Sequence, residues 1–131
     1  MKAYCTYCSA EKNDSEKAIP AIDLYNSHRI SEVYKWSQEK GLGFLILSGK
    51  YGLVEPTERI HYYDHLLKPK EVEPHSDLLA SQIKAMGITE IVFFMSRLEK
   101  DPNLQAYRDC ITKACIKSNV ALTINVIDFQ D

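Results

Sequence analysis

Phe44-Leu45-Ile46-Leu47, followed by Ser48-Gly49-Lys50-Tyr51-Gly52, is the stretch on which the fold turns. Four apolar residues in a row, without polar alternation, mark a strand buried on both faces, as in a parallel sheet. Ser48-Gly49 ends the run, and Gly49 and Gly52 bracket Lys50-Tyr51. Glycines at such a turn permit positive φ and let a ligand approach backbone N–H groups. Lys50 adds a cation for a phosphate or carboxylate. The spacing is not that of a P-loop. The plainer reading, a glycine turn with a solvated lysine, stands beside the anion-binding one.

Upstream, Ser27 is placed to cap a helix running to about Lys40. Its Ile30, Val33, Tyr34 and Ser37 share one face, and Gly41 sits at the C-cap position. Lys2 to Cys8 contains Tyr4, Thr6 and Tyr7 and reads as a first strand. Glu11 to Pro20 reads as a polar loop.

Downstream, Ser76 or Asp77 is placed to cap a helix with Leu79, Ile83 and Met86 on one face, ended by Gly87. Glu90 to Met95 is a further apolar strand closed by Ser96-Arg97. Asp101-Pro102 opens a helix whose inward stripe is Leu104, Tyr107, Ile111, Ala114 and Cys115. Ala121 to Phe129 is the last strand.

Alternation of this kind predicts an α/β fold. The expectation is one three-layer domain over residues 1–131, with a mostly parallel four-stranded sheet and helices on both faces. Ligands of such sheets bind outside the carboxyl ends of the strands. Cys8 to Lys12, Ser48 to Gly52 and Ser96-Arg97 should meet there, with Ser27, His28 and Arg29 from the first helix. Lys12, Arg29, Lys50 and Arg97 are four cations on that one edge.

The interval from about 49 to 75 is roughly twice the length at which structureless loops become uncommon in compact domains. Leu53, Val54, Ile60, Tyr62, Tyr63, Leu66 and Leu67 make it too apolar for disorder. It should fold, with a short helix near Asp64 to Leu67, as a functional insert or as a packed cover for a sheet edge. His61-Tyr62-Tyr63-Asp64-His65 is its polar-aromatic centre. Tyr63 and Asp64 there could position or deprotonate a substrate group. A surface aromatic patch is the alternative.

The 131 residues suit one domain, with 45% hydrophobic and 26% charged residues. A net charge of −2 argues against a whole-surface grip on nucleic acid, leaving a local basic patch open. No run approaches the roughly 20 apolar residues of a membrane helix, and no signal-peptide core follows Met1. We therefore expect a cytoplasmic protein with its four cysteines reduced. Cys5-Thr6-Tyr7-Cys8 has C-x-x-C spacing, but residues three apart on a strand face opposite ways. No second close cysteine pair completes a zinc knuckle. We expect no metal and no cofactor. Cys8, at a strand end, is the best reactive candidate, with a buried inert thiol as the plainer reading.

Four motifs resemble those of a family of small uncharacterised microbial domains. They are Cys8-Ser9-Ala10-Glu11-Lys12, the Leu24-Tyr25 of Pro20 to Ser27, Leu45 to Leu53, and Tyr62-Tyr63-Asp64, where the family often has proline in place of Tyr62. The Ser-Gly-x-Tyr-Gly turn is also similar to the YaaA peroxide-stress proteins. The Cys-Ser…Lys element resembles a domain of the archaeosine synthases. These likenesses imply work on nucleobases, nucleotides or nucleic acids. The resemblance to the small-domain family maps Cys8, Ser9, Lys12, Tyr25, Ser48, Lys50, Tyr51, Gly52, Tyr63 and Asp64 onto its motifs.

The expectation is thus an enzyme-like domain that binds or modifies a nucleotide, nucleobase or related anionic small molecule. Tyr63, Asp64 and Cys8 would be its catalytic candidates. Ser9, Lys12, Tyr25, Ser27, Arg29, Ser48, Gly49, Lys50, Tyr51 and Gly52 would be its binding residues. The alternative is a non-catalytic DNA- or RNA-binding or stress-response module that stacks bases on Tyr51, Tyr62 and Tyr63. A third reading is an interaction domain that docks through its apolar loop.

Overall fold

The structure is a computed structural model and describes residues 1–129. The chain runs β1 (Lys2–Tyr7), β2 (Ile19–Pro20), α1 (Ala21–Leu24), α2 (His28–Glu39), β3 (Gly43–Ser48), β4 (Gly52–Val54), β5 (Arg59–Ile60), α3 (Val72–Met86), β6 (Glu90–Met95), α4 (Leu104–Ser118) and β7 (Ala121–Val126). The main sheet has the order β4-β3-β1-β6-β7, and β2 and β5 form a separate antiparallel pair. It is an α/β fold with a mainly parallel, mixed sheet.

Strand alternation divides the core. Ala3, Cys5, Tyr7, Leu45, Leu47, Ile91, Phe93 and Met95 pack with α3 and α4. Tyr4, Phe44, Ile46, Val92 and Phe94 face the opposite way, toward α1, α2 and Tyr63. The central strands are apolar on both sides because each side is roofed by helix, as the Phe44 to Leu47 run implied.

The sheet has five strands, one more than expected. Gly52 takes φ +78° and reverses the chain, so β4 returns antiparallel to β3 with Ser48 opposite Gly52. Three residues are too few to announce a strand by periodicity. The edge that β4 exposes is capped from α3. Leu53 N–H donates to Gln82 Oε1 at 2.8 Å, and Gln82 Nε2 donates to the Tyr51 carbonyl at 3.1 Å. Such capping blocks pairing with another chain.

Three boundaries also move. α3 starts at Val72 rather than at Ser76 or Asp77, after a 3₁₀ turn over Pro69–Glu71. Pro74 lies in its first turn, where no N–H is needed, and Ser76 is interior, donating to the Glu73 carbonyl at 2.7 Å. α4 starts at Leu104, because Asp101 makes a turn instead. Its carboxylate accepts from Asn103 N and its carbonyl from Leu104 N, both at 3.1 Å. β7 ends at Val126, after which the chain carries Phe129 to the α2 side.

The strand order reverses at β1, which has β3 on one side and β6 on the other. In sheets of this class the crevice at such a reversal is where ligands sit.

Candidate functional site

The loops after β1 and β6 part at this reversal and leave a cavity of about 500 Å³. Cys8, Ser9, Ala10 and Lys12 line it from the β1 side, Ser96, Lys100 and Asn103 from the β6 side, and Asp64 and His65 from the insert. Tyr7, Leu104 and Tyr107 add aromatic and apolar walls.

Beneath the loop after β1 lies Arg29, 2% exposed. Its Nη1 donates to Thr6 Oγ1 at 2.7 Å and to the Tyr7 carbonyl at 2.6 Å, and its Nη2 donates to the Cys8 carbonyl at 3.3 Å. The guanidinium carbon is 3.5 Å from the centre of the Tyr7 ring. A fixed positive charge thus underlies the end of β1. Ser27 caps α2 as expected, accepting from Ile30 N at 3.2 Å. With Ser9, Asn26 and His28 it lines a second, smaller depression beside the cavity.

Lys12 is held by a bridge to Tyr25. Its ammonium is 4.6 Å from the centre of the Tyr63 ring and 6.0 Å from those of Tyr25 and Tyr62. Ser9 Oγ donates to the Glu11 carbonyl at 2.7 Å and fixes the turn. Cys8 is half-buried, with Sγ donating to Tyr107 Oη at 3.7 Å.

Ser48, Tyr63 and Tyr25 form a buried hydroxyl chain. Ser48 Oγ accepts from Lys50 N at 3.1 Å and Tyr51 N at 3.0 Å, and donates to Tyr63 Oη at 2.8 Å. Tyr63 Oη in turn lies 2.6 Å from Tyr25 Oη. Burial pushes both phenols far above their ordinary range, with the nearby Cys8 adding to the shift. Tyr63 is therefore a neutral hydrogen-bonding group at ordinary pH. Tyr51 packs edge-on to it, with ring centres 5.3 Å apart.

The turn after β3 is occupied by the protein's own insert. A Cβ on Gly49 would lie 2.9 Å from the His65 carbonyl oxygen and 3.0 Å from Tyr107 Oη. One on Gly52 would collide with Gln82 Oε1. Lys50 is exposed, outside the cavity lining, 5.2 Å from the centre of its neighbour's ring at Tyr51. Arg97 also lies outside that lining and pairs with Asp128 at 3.0 Å.

The insert does not form the expected helix at Asp64 to Leu67. Side chains satisfy its backbone instead: Leu67 N donates to Tyr107 Oη at 3.1 Å and Lys68 N to Glu71 Oε1 at 2.9 Å. Glu71 also holds His65 Nε2 at 3.0 Å. The Lys68 amide and, secondarily, His65 keep the Glu71 carboxyl below its usual range. Tyr63 and Leu67 anchor the segment in the core, while Tyr62 and Leu66 stay exposed at its tip.

The structure thus brings Cys8, Ser9, Lys12, Arg29 and Asp64 to one cavity and seats Tyr25, Ser48 and Tyr63 together behind it. Lys50, Gly49, Tyr51 and Gly52 build the adjoining turn. Tyr107 was legible as a buried helix residue, but not as a hydroxyl on the cavity wall. Lys100 and Asn103 carried no signal beyond lying near a strand end. Among the described residues no three His, Cys, Asp or Glu side chains group as metal ligands, and no helix is long and apolar enough to cross a membrane.

Comparison with curated proteins and with solved structures finds no match. Residues 5–97 match the model of a family of unknown function, DUF6884, a span that includes both the loop after β1 and the insert. The chain belongs to that family.

Proposed function

We propose that this domain binds a nucleotide, nucleobase or related anionic small molecule in the cavity between the carboxyl ends of β1 and β6, and that it does so as an enzyme-like pocket. The observation that carries this reading is the position of that cavity at the reversal of strand order, lined by Lys12, Lys100, Cys8 and Asp64. Lys12 and Lys100 attract the anion, and Arg29 adds its charge from below. Apolar and aromatic walls at Leu104, Tyr107 and Leu66 suit a ring. Cys8 and Asp64, both in its lining, are the side chains we assign to act on it. The likeness to YaaA proteins and to a domain of archaeosine synthases supports nucleobase-related work. We place that work in the cytoplasm, where its free cysteines stay reduced.

Tyr62 favours a second reading. It is 45% exposed and sits near Lys12, as a stacking residue beside a cation would in a single-strand-binding module. Thermal-shift titration decides between them. Stabilisation by mononucleotides, without a greater effect of oligonucleotides, supports the pocket. Binding confined to single-stranded DNA or RNA, with steep salt dependence, supports the module. No response to either ligand class contradicts both.

A further inference from the structure

Resting on the small-molecule reading above, the floor of the cavity can be read by counting its hydrogens. Tyr7 Oη and Ser96 Oγ share one hydrogen bond, at 3.3 Å. Two hydroxyl hydrogens face one bond, so whichever group donates, one hydrogen is left over. Cys8 Sγ and Tyr107 Oη share one contact at 3.7 Å, and Tyr107 Oη also accepts from Leu67 N. There again two hydrogens serve one bond. All four groups line the same cavity. Tyr7, Ser96 and Tyr107 are 9%, 8% and 4% exposed, and the Tyr7 and Tyr107 ring centres are 6.3 Å apart.

Several nearby acceptors among the described residues are already engaged. The Tyr7 and Cys8 carbonyls accept from Arg29, and Asp101 accepts from Asn103. Spare hydrogens at a cavity wall are taken by water or by a ligand acceptor, and a ligand that displaces the water without supplying an acceptor forfeits those bonds. We infer that the floor formed by the Tyr7–Ser96 and Cys8–Tyr107 pairs receives an acceptor oxygen of the ligand, either a phosphoryl oxygen or a ring carbonyl, and so selects oxo-bearing ligands. Burial holds the Tyr107 phenol protonated well above its ordinary range, which keeps its hydrogen in place at working pH.

The test removes one pair whole. In Tyr7→Phe/Ser96→Ala both partners go together, which folding tolerates far better than orphaning one of them. Uridine 5′-monophosphate, uridine and ribose 5-phosphate are titrated calorimetrically against the parent and this variant. The expected result is that the variant melts like the parent but binds uridine 5′-monophosphate about tenfold or more weakly, as loss of a buried donor implies. Ser96→Ala alone loses less, because it frees the Tyr7 hydrogen to serve the ligand. The same loss with uridine assigns the floor to the ring carbonyl, and the same loss with ribose 5-phosphate assigns it to the phosphoryl oxygen. Should the double variant not fold, Cys8→Ala/Tyr107→Phe carries the same comparison, read only after its melting point is checked, because it also leaves the Leu67 amide without its acceptor. Unchanged affinity in a folded pair variant overturns the donor floor while leaving the nucleotide reading intact. No binding of any of the three probes to the parent overturns both.

Discussion

Ser48 Oγ donates to Tyr63 Oη at 2.8 Å, joining the end of β3 to the middle of the insert. The same oxygen accepts the N–H groups of Lys50 and Tyr51. One buried hydroxyl thus sets the turn after β3 and the seat of the insert together. Ser48→Ala removes an acceptor for two amides and the donor for a buried phenol. We predict a loss of about 1–3 kcal/mol from such orphaned groups, measured by urea denaturation. Tyr63→Phe leaves the Ser48 bonds to the amides intact and should cost less. Equal stability of parent and Ser48→Ala would show that the hydroxyl does not fasten the insert.

Gly49 has a packing role of its own. A side chain there meets the backbone of His65 and Leu67. Gly49→Ala should push the insert outward and destabilise the fold by about 1–3 kcal/mol, the usual cost of overpacking. Hydrogen exchange should show lost protection at the Leu67 amide, which donates to Tyr107. Retained protection would mean that the insert accommodates the methyl in place.

The two lysines of the sequence motifs should differ. Lys12 lines the cavity, and Lys50 is exposed beyond it. Lys12→Ala should weaken nucleotide binding by about tenfold, the scale of one charge-assisted hydrogen bond. Lys50→Ala should leave it within error. Calorimetric titration of both variants checks the contrast, and the reverse ranking would move the site to the turn.

Cysteine chemistry separates the site from the core. Cys5, Cys110 and Cys115 are buried, and Cys8 is half-buried at the cavity. Iodoacetamide at pH 8 should label Cys8 in the native protein and all four thiols after denaturation, as read by peptide mass spectrometry. Burial pushes the Cys110 thiol up to about 12 and Cys115 up to about 11, from an ordinary value of 9.0. A folded-state pKa raised in this way means that the folded protein holds its proton longer. The associated stability is complete below pH 9 and is lost as pH climbs toward 11–12. Buried Tyr25, Tyr63 and Tyr107 shift in the same direction. Chemical denaturation from pH 8 to 11 should show stability falling above pH 9. A flat profile would contradict the buried neutral state of these groups.

Much of the fold was legible because the signals were local. The Phe44 to Leu47 run, the Ser27 cap and the Gly87 stop each record a neighbourhood of a few residues. What was not legible depended on distance. Sequence places Ser48 to Gly52 at the ligand edge of the sheet, but strand order decides which loops part, and they part between β1 and β6. The cavity therefore lies beside that turn rather than upon it. Lys50 reads as a ligand cation from its spacing, yet its side chain points into solvent beside Tyr51. Tyr107 sits in an apolar stripe, and nothing local distinguishes its hydroxyl from that of a core tyrosine. The insert kept no helix because Tyr107 and Glu71 take up the Leu67 and Lys68 amides.

The most direct test of the central claim is amide chemical-shift mapping with uridine 5′-monophosphate. We predict that the largest perturbations fall on Cys8 to Lys12, Asp64 to Leu66 and Lys100 to Leu104, the segments that meet over the reversal of strand order. Perturbations confined to Lys50 to Gly52, or none at saturating nucleotide, would contradict a ligand site between β1 and β6.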